Sequence, residues 1–153
     1  MAIIVKPYTE DRIDDVLRFE HDIRIEEEWG WDINEEYLEN VRKSFRDDSF
    51  RDSISLLAYM DGKVVGRIDS TMIKSRFDGS TKAYLDWICV VKNYRHRGVA
   101  QALMAELRKQ LKERGIDTLI ALTASNEEAQ RQFCYLMSIQ IPISCISESG
   151  RDL

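Results

Sequence analysis

The stretch Tyr84-Leu85-Asp86-Trp87-Ile88-Cys89-Val90-Val91-Lys92-Asn93-Tyr94-Arg95-His96-Arg97-Gly98-Val99-Ala100, continued by the strongly helical Gln101 to Arg114, decides the fold of this chain. Tyr84 to Val91 is an apolar run that reads as a buried strand, and it delivers the chain to a tight basic turn from which a helix departs. A helix N-terminus leaves several backbone N–H groups without intrahelical partners, and its macrodipole favours negative charge. A phosphate or pyrophosphate therefore fits such a turn without dedicated side chains, and Gly98 lets that ligand come close to the backbone.

Working outward, Gly115 is a good residue to follow the helix C-terminus, and Ile116 to Thr123 reads as a short strand. Ser125 or Asn126 can cap a helix reaching about Met137, and Ile139 to Ile146 reads as a last strand, interrupted by Pro142 at an edge or bulge. Upstream, Ile54 to Met60, the turn Asp61-Gly62 and Lys63 to Ile73 predict a hairpin, because Asp-Gly supplies positive φ angles. A second turn, Arg76 to Thr81 with Asp78-Gly79, leads into the strand Lys82 to Val91, so three sequential strands form a meander before the central helix.

At the N-terminal end, Ala2 to Lys6 reads as a strand closed by Pro7. Thr9 then caps a helix carrying Ile13, Val16, Leu17, Phe19 and Ile23 near helical spacing. Trp29-Gly30-Trp31-Asp32 breaks that helix, and Asn34 caps another through about Phe45, with Tyr37, Leu38, Val41 and Phe45 facing inward. With no repeat, low-complexity tract or linker, residues 1–153 read as one mixed α/β (α+β) domain.

Composition narrows the function classes. The balance of 22 Lys and Arg against 27 Asp and Glu leaves a net charge of −5, which disfavours nucleic acid as a partner and accommodates a cationic one. Cys89, Cys134 and Cys145 lack CxxC spacing, so neither a disulfide framework nor a metal site is indicated. No apolar stretch is long enough to span a bilayer and no targeting pattern opens the chain, so no membrane association and a cytoplasmic location are expected.

Leu85 to Val91, then Lys92-Asn93-Tyr94 and Arg95-x-x-Gly98-x-Ala100, resembles the acetyl-CoA-binding motif of the GNAT superfamily of N-acetyltransferases. Strand, turn, helix, strand and an Asn126-led helix follow in the family order over roughly the second half of the chain, which is far more specific than the six-residue pattern alone. The resemblance implies a central mixed, mostly antiparallel sheet flanked by helices. It also implies transfer of an acetyl group from acetyl-CoA to a primary amine by direct attack, with both substrates bound and no metal. The amides around His96, Arg97, Gly98, Val99, Ala100 and Gln101 would hold the pyrophosphate. The main chain of Ile88, Cys89 and Val90 would pair with the pantetheine arm, and Asn126 would contact the pantetheine region. Arg95 and Arg97 could neutralise phosphate charge.

The chain departs from the family where many members place a tyrosine that protonates the leaving thiolate. Here that position is Phe133, which cannot donate a proton, and Leu136-Met137-Ser138 replaces the usual Leu-Gly-Phe. Cys134 or Tyr135 could substitute only if the helix register shifted. The departure keeps a second function class open, an acyl-CoA-binding regulatory or interaction module with little chemistry of its own. A shortened tail would also leave an edge strand able to pair with a second copy, which allows a homodimer.

An attacking amine must be neutral, while an alkylammonium group has a pKa of about 10, so a carboxylate or a water held by one must take its proton. Asp86 and Glu28 are the candidate bases. On a regular strand Asp86 and Ile88 share one face and Trp87 and Cys89 the other, so only one set could line an acceptor cleft. A backbone N–H near Cys89 or Val90, at a bulge, would stabilise the oxyanion. Glu26, Glu27, Glu28, Asp32, Glu35 and Glu36 around Trp29 and Trp31 suit a cationic acceptor such as a polyamine, an aminoglycoside-like compound or a protein lysine or N-terminus.

Overall fold

Leu56, Leu57, Ala58, Tyr59 and Met60 follow one another without a polar interruption, as expected of a strand buried on both faces. In the computed structural model, which describes residues 2–28, 30 and 32–121, this segment is the second strand of a five-stranded sheet. The strands are β1 (Ile4–Pro7), β2 (Ile54–Met60), β3 (Lys63–Lys74), β4 (Thr81–Val90) and β5 (Leu119–Ala121), and they are neighbours in that order. The first four pair antiparallel, and β5 lies parallel to β4. The mixed, mostly antiparallel sheet is thus present.

Two helices cover its faces. Of the helices α1 (Ile13–Glu26), α2 (Glu35–Ser44) and α3 (Val99–Glu113), the last buries Val99, Leu103, Met104, Leu107 and Leu111 against Leu56, Ala58, Ile68, Ala83, Leu85 and Leu119. Helix α1 (Ile13–Glu26) buries Val16, Phe19 and Ile23 on the opposite face, against Leu57, Tyr59 and Val64. Strand β2 divides its side chains between the two layers by simple alternation. A third helix, α2 (Glu35–Ser44), is capped by the Asn34 side chain, which accepts from the Tyr37 N–H at 2.8 Å, yet it contains no buried residue. Its inward face, Tyr37, Leu38, Val41 and Phe45, is only half-buried because it borders a cleft instead of packing on the sheet.

The turns follow their sequence signals. Asp61 and Gly62 adopt φ of 51° and 75° in the β2–β3 hairpin, and Gly79 adopts 70° in the next turn. Two boundaries and one core position differ from the expectation. Thr9 makes no side-chain cap, and a single 3-10 turn, Glu10–Arg12, precedes α1. Leu17 is only half-buried, and β5 begins at Leu119, not Ile116. Among the expected elements, the helix to Met137, the strand over Ile139 to Ile146 and any dimerising edge lie outside the described residues.

The β3–β4 ladder contains the irregularity that matters for the site. Ser70 pairs with Leu85 and Asp69 with Trp87, so Asp86 is the extra residue of a bulge. Before it, Ala83 and Leu85 face α3; after it, Ile88 and Val90 pack on that layer while Trp87 and Cys89 pack on the α1 layer.

Candidate active site

The turn after β4 is built from backbone. A short 3-10 turn (Lys92–Tyr94) is followed by His96 and Gly98 in the left-handed region, at φ of 60° and 84°. Glycine reaches this region without penalty, whereas a non-glycine residue there is strained by roughly 1–3 kcal/mol. The first rung of the α3 ladder is Ala102 N–H to Gly98 O at 2.9 Å, and the amides from His96 through Gln101 reach no acceptor among the described residues. They open on a hollow of about 300 Å³ lined by Ile88, Cys89, Val90, Tyr94, Arg95, His96, Gly98, Val99, Ala100 and Gln101.

Every cofactor residue expected from sequence lines this hollow except Arg97, whose guanidinium stacks over Tyr94 at 5.3 Å, and Asn126, which lies outside the described residues. Tyr94, which supplies part of the wall, was missed. Val91 N–H donates to Val65 O at 3.0 Å across the β3 side, so by strand alternation the N–H groups of Ile88 and Val90 face the other edge. That edge of β4 pairs with β5 only over Ala83 to Leu85. Past the bulge, among the described residues, Arg95 Nε takes Val90 O at 2.9 Å, and the N–H groups of Ile88 and Val90 stay open to an extended ligand. The bulge itself falls at Asp86; Ile88, Cys89 and Val90 pair regularly with Ile68, Arg67 and Gly66, which corrects the expected site of the irregularity.

The adjoining cleft, about 840 Å³, is built from side chains. Both Asp86 and Trp87 line it, although a regular strand would have turned them to opposite faces. The bulge therefore overrides the expected alternative between the two sets. Asp86 touches the Thr71 hydroxyl at 3.4 Å, and partial burial, aided by the neighbouring Asp69 charge, lifts its pKa above the ordinary carboxylate value. The two cavities draw on consecutive residues of β4, Trp87 lining the cleft and Ile88 the hollow, at a residue rise of about 3.3 Å.

Beneath Asp86 lies a charged network that sequence reasoning did not foresee. Glu20 and Arg24 are 6% and 7% exposed, and Glu20 Oε1 sits 2.9 Å from Arg67 Nη1. Arg67 also holds Asp69 with Nε 2.6 Å from Oδ2, and Ser55 donates to Asp69 at 2.6 Å. Tyr37 of α2 donates its hydroxyl to Glu20, and Arg67 lies over the rings of Tyr8 at 4.8 Å and Trp87 at 5.7 Å. Burial pushes the Tyr8 hydroxyl up to about 12 and raises that of Tyr37 further, so both stay protonated as donors. Burial alone would lower the pKa of Arg67, but Asp69 and Glu20 reverse that and hold it charged. A signal existed: Glu20 interrupts the apolar stripe Val16, Phe19, Ile23, and Arg24 follows it at helical i,i+4 spacing.

The expected acidic collar is placed differently. Glu26 and Glu27 turn to the phosphate-type turn, where Glu26 Oε2 accepts from Lys92 N–H at 3.0 Å and Glu27 Oε1 pairs with Arg95 Nη2 at 2.6 Å. Glu28, Asp32, Glu35 and Glu36 are exposed and do not line the cleft; Trp29 and Trp31 lie outside the described residues. Glu28, at φ 54°, is therefore not brought beside Asp86. Burial raises the Cys89 thiol to about 11, which keeps it protonated at neutral pH and unsuited to nucleophilic attack.

A sequence model of the acetyltransferase (GNAT) family matches residues 16–135. No curated protein matches the sequence. Among solved structures, the aminoglycoside antibiotic 6'-N-acetyltransferase AAC(6')-Ih from Acinetobacter baumannii is similar with a TM-score of 0.70 at 15% identity, over 99% of each chain. AAC(6')-Iy in complex with the bisubstrate analog CoA-S-monomethyl-acetylneamine gives 0.72 at 16% identity, over 99% of this chain and 100% of that one. A ribosomal-protein-alanine N-acetyltransferase from Brucella melitensis gives 0.69 at 15% identity, over 100% and 97%. At these identities the likeness is one of fold.

Proposed function

Because the chain belongs to the acetyltransferase (GNAT) family, whose members use acetyl-CoA, we propose that it is an N-acetyltransferase that carries the acetyl group to a primary amine seated in the cleft beside Asp86. The observation that carries this reading is the run of amides from His96 to Gln101 without a backbone acceptor among the described residues, at a hollow whose wall along β4, Ile88 to Val90, directly follows the cleft residues Asp86 and Trp87. The amides receive the diphosphate, the open edge at Ile88 and Val90 pairs with the pantetheine arm, and the thioester then arrives near Trp87.

In the reaction, the neutral amine nitrogen attacks the thioester carbonyl carbon, the C–S bond breaks, the thiolate leaves, and the proton then lost from the acylated nitrogen passes through solvent to the thiolate, giving amide and free thiol. An ammonium of pKa about 10 must first lose a proton, which Asp86 accepts directly or through water. The raised pKa of Asp86 makes it a better base than an ordinary aspartate. A thiolate needs little help to leave, since free thiols have pKa values of about 8–9. Direct transfer is favoured over an acetyl-cysteine intermediate because Cys89 remains a thiol.

The acceptor is a cationic amine, drawn by the Asp86 carboxylate in the cleft wall, while the rings of Tyr8, Tyr37 and Trp87 already hold the guanidinium groups of Arg67 and Arg24. The solved structures carry names for both an aminoglycoside and a ribosomal-protein alanine, so a polyamine, an aminoglycoside-like compound and a protein amine all belong in the test. The chain is to be incubated with acetyl-CoA and such a panel while free thiol release is recorded. Turnover on at least one amine is expected, with Asp86→Asn slowing it about 10²–10⁴-fold. Phe133 favours a second reading, a CoA-binding module; thermal stabilisation by CoA without thiol release on any amine would establish that instead.

A further inference from the structure

Two glutamates close helix α1, and both are spent on the cofactor turn. Lys92 donates its N–H to Glu26 Oε2 at 3.0 Å and its Nζ to Glu26 O at 2.5 Å. Arg95 forms a bracket, with Nε on Val90 O at 2.9 Å and Nη2 on Glu27 Oε1 at 2.6 Å. One side chain thus joins the open edge of β4, the turn of unpaired amides and the end of α1.

A carboxylate beside a cradle for a diphosphate is electrostatically adverse, and a guanidinium prefers a bidentate partner such as a phosphate. The Arg95–Glu27 pair is partly solvated, at 39% and 32% side-chain exposure, so the hold is weak enough to be exchanged. We propose that Glu27 is a positioning residue that retains Arg95 while the turn is empty and yields it to the diphosphate when CoA binds, the end of α1 staying anchored to the turn by Glu26 and Lys92. This rests on the assignment of the turn to acetyl-CoA.

The test is a calorimetric titration of CoA into wild type, Glu27→Gln, Arg95→Gln and the double variant, with the KM for acetyl-CoA recorded for each. Glu27→Gln should bind CoA about two- to fivefold more tightly, in proportion to the worth of a partly exposed pair, a gain that a merely structural role for Glu27 would not produce. Arg95→Gln should bind more weakly, and adding Glu27→Gln to it should recover little. Unchanged or weaker CoA binding by Glu27→Gln, with wild type binding normally, overturns the exchange alone. A wild-type chain that takes up no CoA removes the cofactor assignment itself, and the exchange with it.

Discussion

The two halves of the site are made of different material. The cofactor hollow is framed by backbone: a left-handed turn, a helix start and an open strand edge, with ion pairs only at its rim. The acceptor cleft is framed by side chains, and its floor is a buried charge network joining α1, β2, β3 and α2. Backbone geometry tolerates side-chain replacement, whereas a buried network loses a charge balance when any member is removed. The acceptor half should therefore be the more fragile of the two in stability, and the cofactor half the more sensitive to a single glycine.

The strongest test of that contrast is Glu20→Ala. It strips Arg67 of one of its two carboxylate partners and Tyr37 of its acceptor, and removing one member of a buried pair typically costs about 3–5 kcal/mol. Denaturant unfolding is expected to show a loss of that order; a loss below about 1 kcal/mol would mean the network is solvated and the contrast false.

Next in size is Gly98→Val. At φ 84° any side chain is strained, and a Cβ there would lie 3.4 Å from Gln101 Oε1 at the mouth of the amide cradle. CoA affinity is expected to fall more than about tenfold, with thermal stability falling by the strain of roughly 1–3 kcal/mol. Equal CoA affinity in variant and wild type would remove the backbone from the recognition.

The smallest effect sharpens the comparison by its sign. Folding raises the pKa of Asp86, chiefly through burial, so its charged form is disfavoured in the native state. At pH below the ordinary carboxylate value both folded and unfolded chains carry the proton and no penalty exists. The penalty develops as pH rises through the ordinary value to the raised one and persists above it. Asp86→Asn is thus expected to be slightly more stable than wild type at neutral pH, the difference shrinking on acidification, even as the variant loses activity. Thermal unfolding across pH reads this directly, and a variant less stable than wild type at neutral pH would contradict the raised pKa.

The sequence made the cofactor half legible because its signals are local. A glycine able to reach positive φ, an apolar strand before it and a helix after it occupy consecutive residues, and the amide cradle follows from covalent connectivity. The hairpin turns at Asp61-Gly62 and Gly79 were legible for the same reason. The acceptor half was not. Glu20, Tyr37, Ser55, Arg67 and Asp69 come from four elements spread over the first half of the chain, and no short window contains their pairing. The acidic run Glu26-Glu27-Glu28 misled because charge density in sequence carries no direction; two of those carboxylates face the turn and the third faces solvent.

Local sequence by itself determined the strand meander, the turn and the amide-bearing helix start, since each depends on torsional preference and the spacing of apolar residues within a few positions. Tertiary structure alone decided which carboxylate meets the cleft. The single-residue bulge in the β3–β4 register turns Asp86 and Trp87 toward the same cavity, and that offset exists only where two strands are compared side by side.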